Sequence, residues 1–130
     1  MKAAILTKQN SPLRIYDNIR VKKPNHGQVL VKIAYSGVCH SQLMEVRGKR
    51  GKDLFLPHLL GHEGSGKVLS IGDGVKKVKV NDLVILGWIK GCGIEAGSSV
   101  YHCNDIVGNI NAGSVTTFNE YALISENRVF

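Results

Sequence analysis

The chain has 130 residues, 43% of them hydrophobic, with 17 Lys and Arg against 10 Asp and Glu for a net charge of +7. That size and composition give one globular domain with a modest core. The basic clusters Arg20-Val21-Lys22-Lys23, Lys49-Arg50-Gly51-Lys52 and Lys76-Lys77-Val78-Lys79 lie in separate turns without interleaved aromatics, which argues against a nucleic-acid partner.

The first strand is expected over 2–7, before the turn signal Asn10-Ser11-Pro12. A second strand is expected over 13–21, with Leu13 and Ile15 on one face. Residues 28–35 give the clearest strand, because Val29, Val31, Ile33 and Tyr35 alternate with residues such as Lys32. Gly37 ends it. A short helix is expected to about Arg47, with Ser41 as its cap and Gly48 as its stop. Further strands are expected over 64–71 and 83–86, separated by the turns Gly72-Asp73-Gly74 and Asn81-Asp82. The segment 87–116 is glycine- and serine-rich with no clear period and reads as a long loop. A last strand is expected over 117–125. Short strands joined by glycine-rich turns indicate a mainly β sandwich or barrel.

The longest apolar stretch, 83–89, contains Gly87 and is too short to span a bilayer. The apolar run before Thr7 is too short for a signal-peptide core, so a cytoplasmic location is expected. Three cysteines, Cys39, Cys92 and Cys103, argue against a disulfide framework.

Cys39 and His62 are two residue types suited to zinc, each with glycine close by. They stand 23 positions apart, so only the fold can unite them. Gly37-Val38-Cys39-His40-Ser41, Gly61-His62-Glu63-Gly64, Gly72-Asp73-Gly74-Val75 and Val80-Asn81-Asp82-Leu83-Val84 together resemble the catalytic domain of zinc-dependent alcohol dehydrogenases, in the medium-chain dehydrogenase/reductase family. The resemblance implies a GroES-like, partly open β-barrel with short helices over 1–130. It also implies a cofactor-binding Rossmann domain, which nothing in this chain matches.

By that resemblance Cys39 and His62 are ligands of a catalytic zinc. Glu63 is the adjacent carboxylate able to approach it, and a third cysteine ligand lies beyond Phe130. Ser41 matches the hydroxyl that bonds the substrate oxygen and relays its proton, and His40 matches a contact to the pyrophosphate of NAD or NADP. The implied substrate is a small alcohol, with an aldehyde or ketone as product. The implied complete enzyme is a homo-oligomer.

Two positions depart from the family pattern. Gln42 stands where an aspartate often orients the zinc histidine, and Met44 stands where a histidine often ends the proton relay. The four closely spaced cysteines of the family's structural zinc are not reproduced, since Glu95 and Ser98 follow Cys92 at the next three-residue steps. A set of Cys92, His102 and Cys103 would lack a fourth ligand. Gly61–Val68 falls one residue short of a P-loop, and the dinucleotide-like Gly91–Ala96 has no amphipathic helix after it. The alternative to a catalytic domain is a non-catalytic module that only binds or assembles. Retention of Cys39, His62 and Glu63 argues against a zinc-free quinone reductase.

Overall fold

The computed structural model describes residues 1–130. Its strands form two curled sheets. Strands β1 (Ala3–Leu6), β2 (Arg14–Tyr16), β4 (His58–Leu59), β7 (Ser99–Cys103) and β8 (Ile106–Ala112) form a five-stranded sheet in the order β2-β1-β4-β8-β7. Strands β3 (Gln28–Ser36), β5 (Glu63–Ile71), β6 (Leu83–Gly87) and β9 (Tyr121–Ser125) form the second, in the order β6-β5-β3-β9. Every pair is antiparallel except β4 with β8. Helix α1 (His40–Val46) follows β3, and a 3-10 turn, Glu126–Arg128, follows β9. This is the expected mainly β, partly open barrel.

Alternation in β3 sets the core of the second sheet. Val29 and Val31 are fully buried, whereas Tyr35 is 79% exposed. Register shifts between Leu30 and Val31 and between Ile33 and Tyr35 interrupt regular pairing with β5. Such irregularities bend a strand, and here the far end of β3 emerges at the surface.

β9 serves two cores. Leu123 packs with Ile5, Leu59, Tyr101 and Ile110, while Ala122 and Ile124 pack with Val29, Val31 and Val68. Burial on both faces explains its continuous apolar run. Tyr101 and Ser99 join the two sheets there. The Leu123 backbone N–H donates to the Tyr101 hydroxyl at 2.7 Å, and Ser99 Oγ donates to the Leu123 carbonyl at 3.3 Å. Burial pushes the Tyr101 hydroxyl pKa up to about 12, so it remains a neutral partner. Tyr101→Phe leaves that buried N–H without an acceptor. The expected loss is about 1–3 kcal/mol, read from the urea midpoint at unchanged m.

The structure corrects four local expectations. The segment 87–116 is not one loop, because it holds the β7–β8 hairpin. Ser99, Tyr101 and Cys103 point inward in alternation, a period hidden by the small and polar residues around them. Of the expected second strand only Arg14–Tyr16 pairs with β1, at Ala3, Ala4 and Ile5, while Arg20 bridges His102 of β7 instead. The last strand starts at Tyr121, because Thr116–Phe118 are held across the chain by Leu59 and Leu60 instead. Finally, the cap of α1 is Cys39, in extended conformation at φ −94 and ψ 151, so Ser41 lies inside the first turn.

Candidate metal and catalytic site

Strand pairing explains how the two motifs meet. The β3–β5 register ends at Ser36 opposite Gly64. Cys39 follows one strand end and His62 precedes the other, so closing this pair brings both to one corner. The Gly37 N–H donates to the Glu63 carbonyl at 3.0 Å and fastens that corner. A Cβ at Gly37 would stand 2.7 Å from Glu63 Cδ, so a side chain there would displace the exposed Glu63 carboxylate from this corner.

The His62 side rests on a second clamp. Gly61 has φ +102, a backbone state that glycine adopts without steric conflict. Its Leu60 neighbour accepts hydrogen bonds from the N–H groups of Thr117 and Phe118 at 3.3 and 3.2 Å and from Thr116 Oγ1 at 2.8 Å. Thr117 Oγ1 in turn meets Ser36 Oγ at 2.7 Å. The turn before His62 is thus tied to the end of β3 through the chain entering β9.

Four polar groups converge in this corner. Ser41 Oγ lies 3.4 Å from His62 Nδ1. Gln42 is buried, at 4% exposure, and its Nε2 lies 2.5 Å from the same His62 Nδ1 and 3.2 Å from Ser41 Oγ. Its Oε1 accepts the Cys39 N–H at 3.0 Å. Hydrogen bonds from the Ser41 hydroxyl and the Ser41 N–H hold the Cys39 thiol below its ordinary pKa, against burial and the negative charge of Glu63. That environment favours a thiolate, the form that binds metals.

Cys39, Ser41 and His62 are therefore assembled, and His62 is half-buried. Glu63 is adjacent but exposed, and His40 is exposed on the first residue of α1. Cys39, His62 and Glu63 do not bring three ligating atoms within 4.8 Å of one another. The trio that does is Glu45, Asp53 and His58. There, Asp53 Oδ2 lies 2.9 Å from His58 Nδ1, Asp53 Oδ1 accepts the Phe55 N–H at 2.8 Å, and Arg50 and Lys52 line the same cavity. Those cations and internal bonds make it a satisfied ion-pair cluster. Cys103 is buried in the first core, and Cys92 is exposed.

The residues that the sequence reading undervalued are Gln42 and Thr117. Gln42 registers there only as a missing aspartate. Its spacing from Cys39 is that of a capping box, three positions on, which is the signal that locates it.

Thiolate, imidazole and carboxylate are all zinc ligand types, and with His62 Nδ1 engaged by Gln42 the nitrogen left to face a metal is Nε2. The donor set fits zinc in kind. The hydrogen bond that supports His62 runs from the Gln42 amide to the ring, not from the ring to an acceptor.

A groove of about 550 Å³ lies along the outer face of β3, β5 and β6, lined by Tyr35, Leu83, Ile85 and Phe130 among others. Tyr35, Leu83 and Ile85 are 79%, 83% and 64% exposed.

The two curled sheets, with this corner at the joined ends of β3 and β5, form a GroES-like half-barrel. The chain belongs to the alcohol dehydrogenase GroES-like domain family, whose sequence model matches residues 25–130. It is 47% identical over 92 residues to the alcohol dehydrogenase class-3 of Dictyostelium discoideum, covering 71% of this chain and 24% of that protein. Over the same length it is 41% identical to the S-(hydroxymethyl)glutathione dehydrogenase of a Synechocystis species. The chain thus spans about a quarter of the length of the curated relatives it matches. The crystal structure of an alcohol dehydrogenase zinc-binding domain protein from Burkholderia ambifaria superposes with a TM-score of 0.84 at 24% identity, covering 99% of this chain and 40% of that one. The quinone oxidoreductase of Escherichia coli, solved with NADPH, shares the fold with a TM-score of 0.73 at 17% identity. No helix of this chain is long and apolar enough to cross a membrane.

Proposed function

We propose that this chain is the catalytic-domain portion of a zinc- and NAD(P)-dependent alcohol dehydrogenase that oxidises a small alcohol to an aldehyde or ketone in the cytoplasm. The observation that carries the reading is the corner where the ends of β3 and β5 meet. It places Ser41 Oγ 3.4 Å from the His62 ring although 21 positions separate the two residues.

In this reading Cys39 and His62 hold the zinc, with Glu63 beside them as the carboxylate able to approach it. The remaining cysteine ligand comes from the polypeptide beyond Phe130. Bound zinc supplies Lewis acidity toward the substrate oxygen. Ser41 receives the substrate hydroxyl proton at Oγ and passes it outward. With Met44 in place of a terminal histidine, no side chain of α1 ends this relay, and water would carry the proton onward from Ser41. His40, exposed at the start of α1, would contact the cofactor's phosphates. The Rossmann domain that would carry NAD or NADP is no part of these 130 residues, and the complete enzyme is a homo-oligomer.

A second reading is favoured by the exposed apolar groove on β3, β5 and β6: the chain acts as an assembly module without activity of its own.

Metal content of the full polypeptide tests the first reading. About one zinc per chain at this site is expected, lost in Cys39→Ala along with turnover and retained in Asp53→Asn. A Cys39→Ala protein with full zinc and full activity overturns it.

A further inference from the structure

We infer that Gln42 fixes neutral His62 as the tautomer protonated at Nε2, the atom that a metal would need free. The inference about metal loading rests on the zinc reading above, while the tautomer itself rests on hydrogen-bond polarity alone. The Cys39 backbone N–H can only donate, so the Gln42 atom 3.0 Å from it is the acceptor Oε1. The other end of the carboxamide is then Nε2, a donor without acceptor capacity. It sits 2.5 Å from His62 Nδ1 and 3.2 Å from Ser41 Oγ, and its two protons match these two partners. His62 Nδ1 must accept, so a neutral ring carries its proton on Nε2.

Rotating the amide does not relieve this. It would set the Gln42 NH2 against the Cys39 N–H, two donors face to face at the helix cap. Gln42 is 4% exposed, which leaves little room for water to mediate. A metal-binding histidine usually donates its second N–H to a carboxylate or carbonyl, which frees the opposite nitrogen for the metal. Gln42 imposes the reverse. Metal uptake at His62 therefore requires the ring to move its proton and Gln42 to give up one of its bonds. Gln42 is a positioning residue that restrains metal loading.

Gln42→Glu isolates the effect, because it keeps the length and the acceptor for the Cys39 N–H while replacing the donor by a second acceptor. Nitrogen-15 NMR of histidine-labelled, metal-free protein, at a pH above the imidazole range, reads the tautomer directly. The expected result is an unprotonated Nδ1 and a protonated Nε2 at His62 in the native chain, exchanged in Gln42→Glu. A native His62 protonated at Nδ1, or a variant with the same tautomer as the native chain, overturns the inference. Zinc and cobalt titrations with a Cys39→Ser control read the second arm. Affinity at the Cys39 site should rise about 10- to 100-fold in Gln42→Glu. Equal affinities in both proteins overturn the restraint on loading. Metal binding that ignores Cys39→Ser in both overturns the zinc reading, an outcome that the NMR result distinguishes from failure of the tautomer assignment.

Discussion

Glu126→Ala should lower the unfolding free energy by about 3 kcal/mol or more, with a matching drop in urea midpoint. Glu126 is 3% exposed. Its Oε1 accepts the backbone N–H groups of Lys76 and Lys77 at 2.7 and 2.9 Å, and its Oε2 accepts that of Ile94 at 2.7 Å. One carboxylate thus ties the turn before β6 and the segment leading into β7 to the 3-10 turn after β9. Each charge-assisted bond is worth roughly 1.5–3 kcal/mol, and the three share one group, so the sum is not additive. Glu126→Gln should also destabilise, because its amide would face one of three donors with another donor.

The same carboxylate makes stability pH-dependent. Burial by itself would raise its pKa, but the N–H groups of Ile94, Lys76 and Lys77, with the Lys77 charge, hold it below the ordinary carboxylate value. A carboxyl depressed in the folded state contributes its stabilisation above the unfolded pKa of about 4.3 and loses it as pH falls through the folded value. Native stability should therefore decline on the acid side of about pH 5, while Glu126→Gln should show a shallower decline over that window. Parallel pH profiles for the two proteins would remove Glu126 from the cause.

Gly61→Ala is expected to cost about 2–6 kcal/mol, from backbone strain of about 1–3 kcal/mol and overpacking of about 1–3 kcal/mol. A Cβ at this φ of +102 would stand 2.8 Å from the Thr117 N and 3.0 Å from Phe118 Cδ1. Both neighbours belong to the segment that holds Leu60, so they cannot retreat without releasing the turn before His62. Gly51→Ala separates the two causes. Its φ is +92, yet no atom lies within 4 Å of the Cβ position. It should cost about 1–2 kcal/mol, the strain alone. Equal thermal shifts in the two variants would show that crowding at Thr117 contributes nothing. Gly61→Ala should also disperse the His62 ring resonances, which Gly51→Ala should leave in place.

The parts of the fold legible in the sequence are those where burial follows a period. Val29 and Val31 announce β3, and the ends of β3 and β5 fall beside the glycines that flank the two motifs. Cys39, His62 and Ser41 were legible as a set only through family resemblance, since 23 positions and an intervening helix separate the two ligand candidates. The β7–β8 hairpin was illegible because Ser99 and Cys103 are weakly apolar and Gly108 and Asn109 dilute the second strand. Its signal was the pair Asn104-Asp105 between two alternating runs. Gln42 and Glu126 escaped for a different reason. Glu126 is a buried carboxylate held by three backbone N–H groups, whose direction no side-chain pattern records, while Gln42 joins its local bond to the Cys39 N–H to a His62 ring that only the fold brings near.

Strand β1 has a consequence for the order of folding. It pairs at once with nearby β2, but its other edge is completed by Leu59 opposite Ile5, by the Phe118 carbonyl, which accepts the Ala4 N–H at 2.9 Å, and by a bridge from Ala3 to Asn119. Such distant partners make for slow closure, because loop entropy is lost before the contacts form. Chains are made from the amino end. During synthesis Ala3–Leu6 therefore waits with an open, apolar edge until residues far downstream have emerged, and that interval is when the nascent chain is most prone to stick to its neighbours.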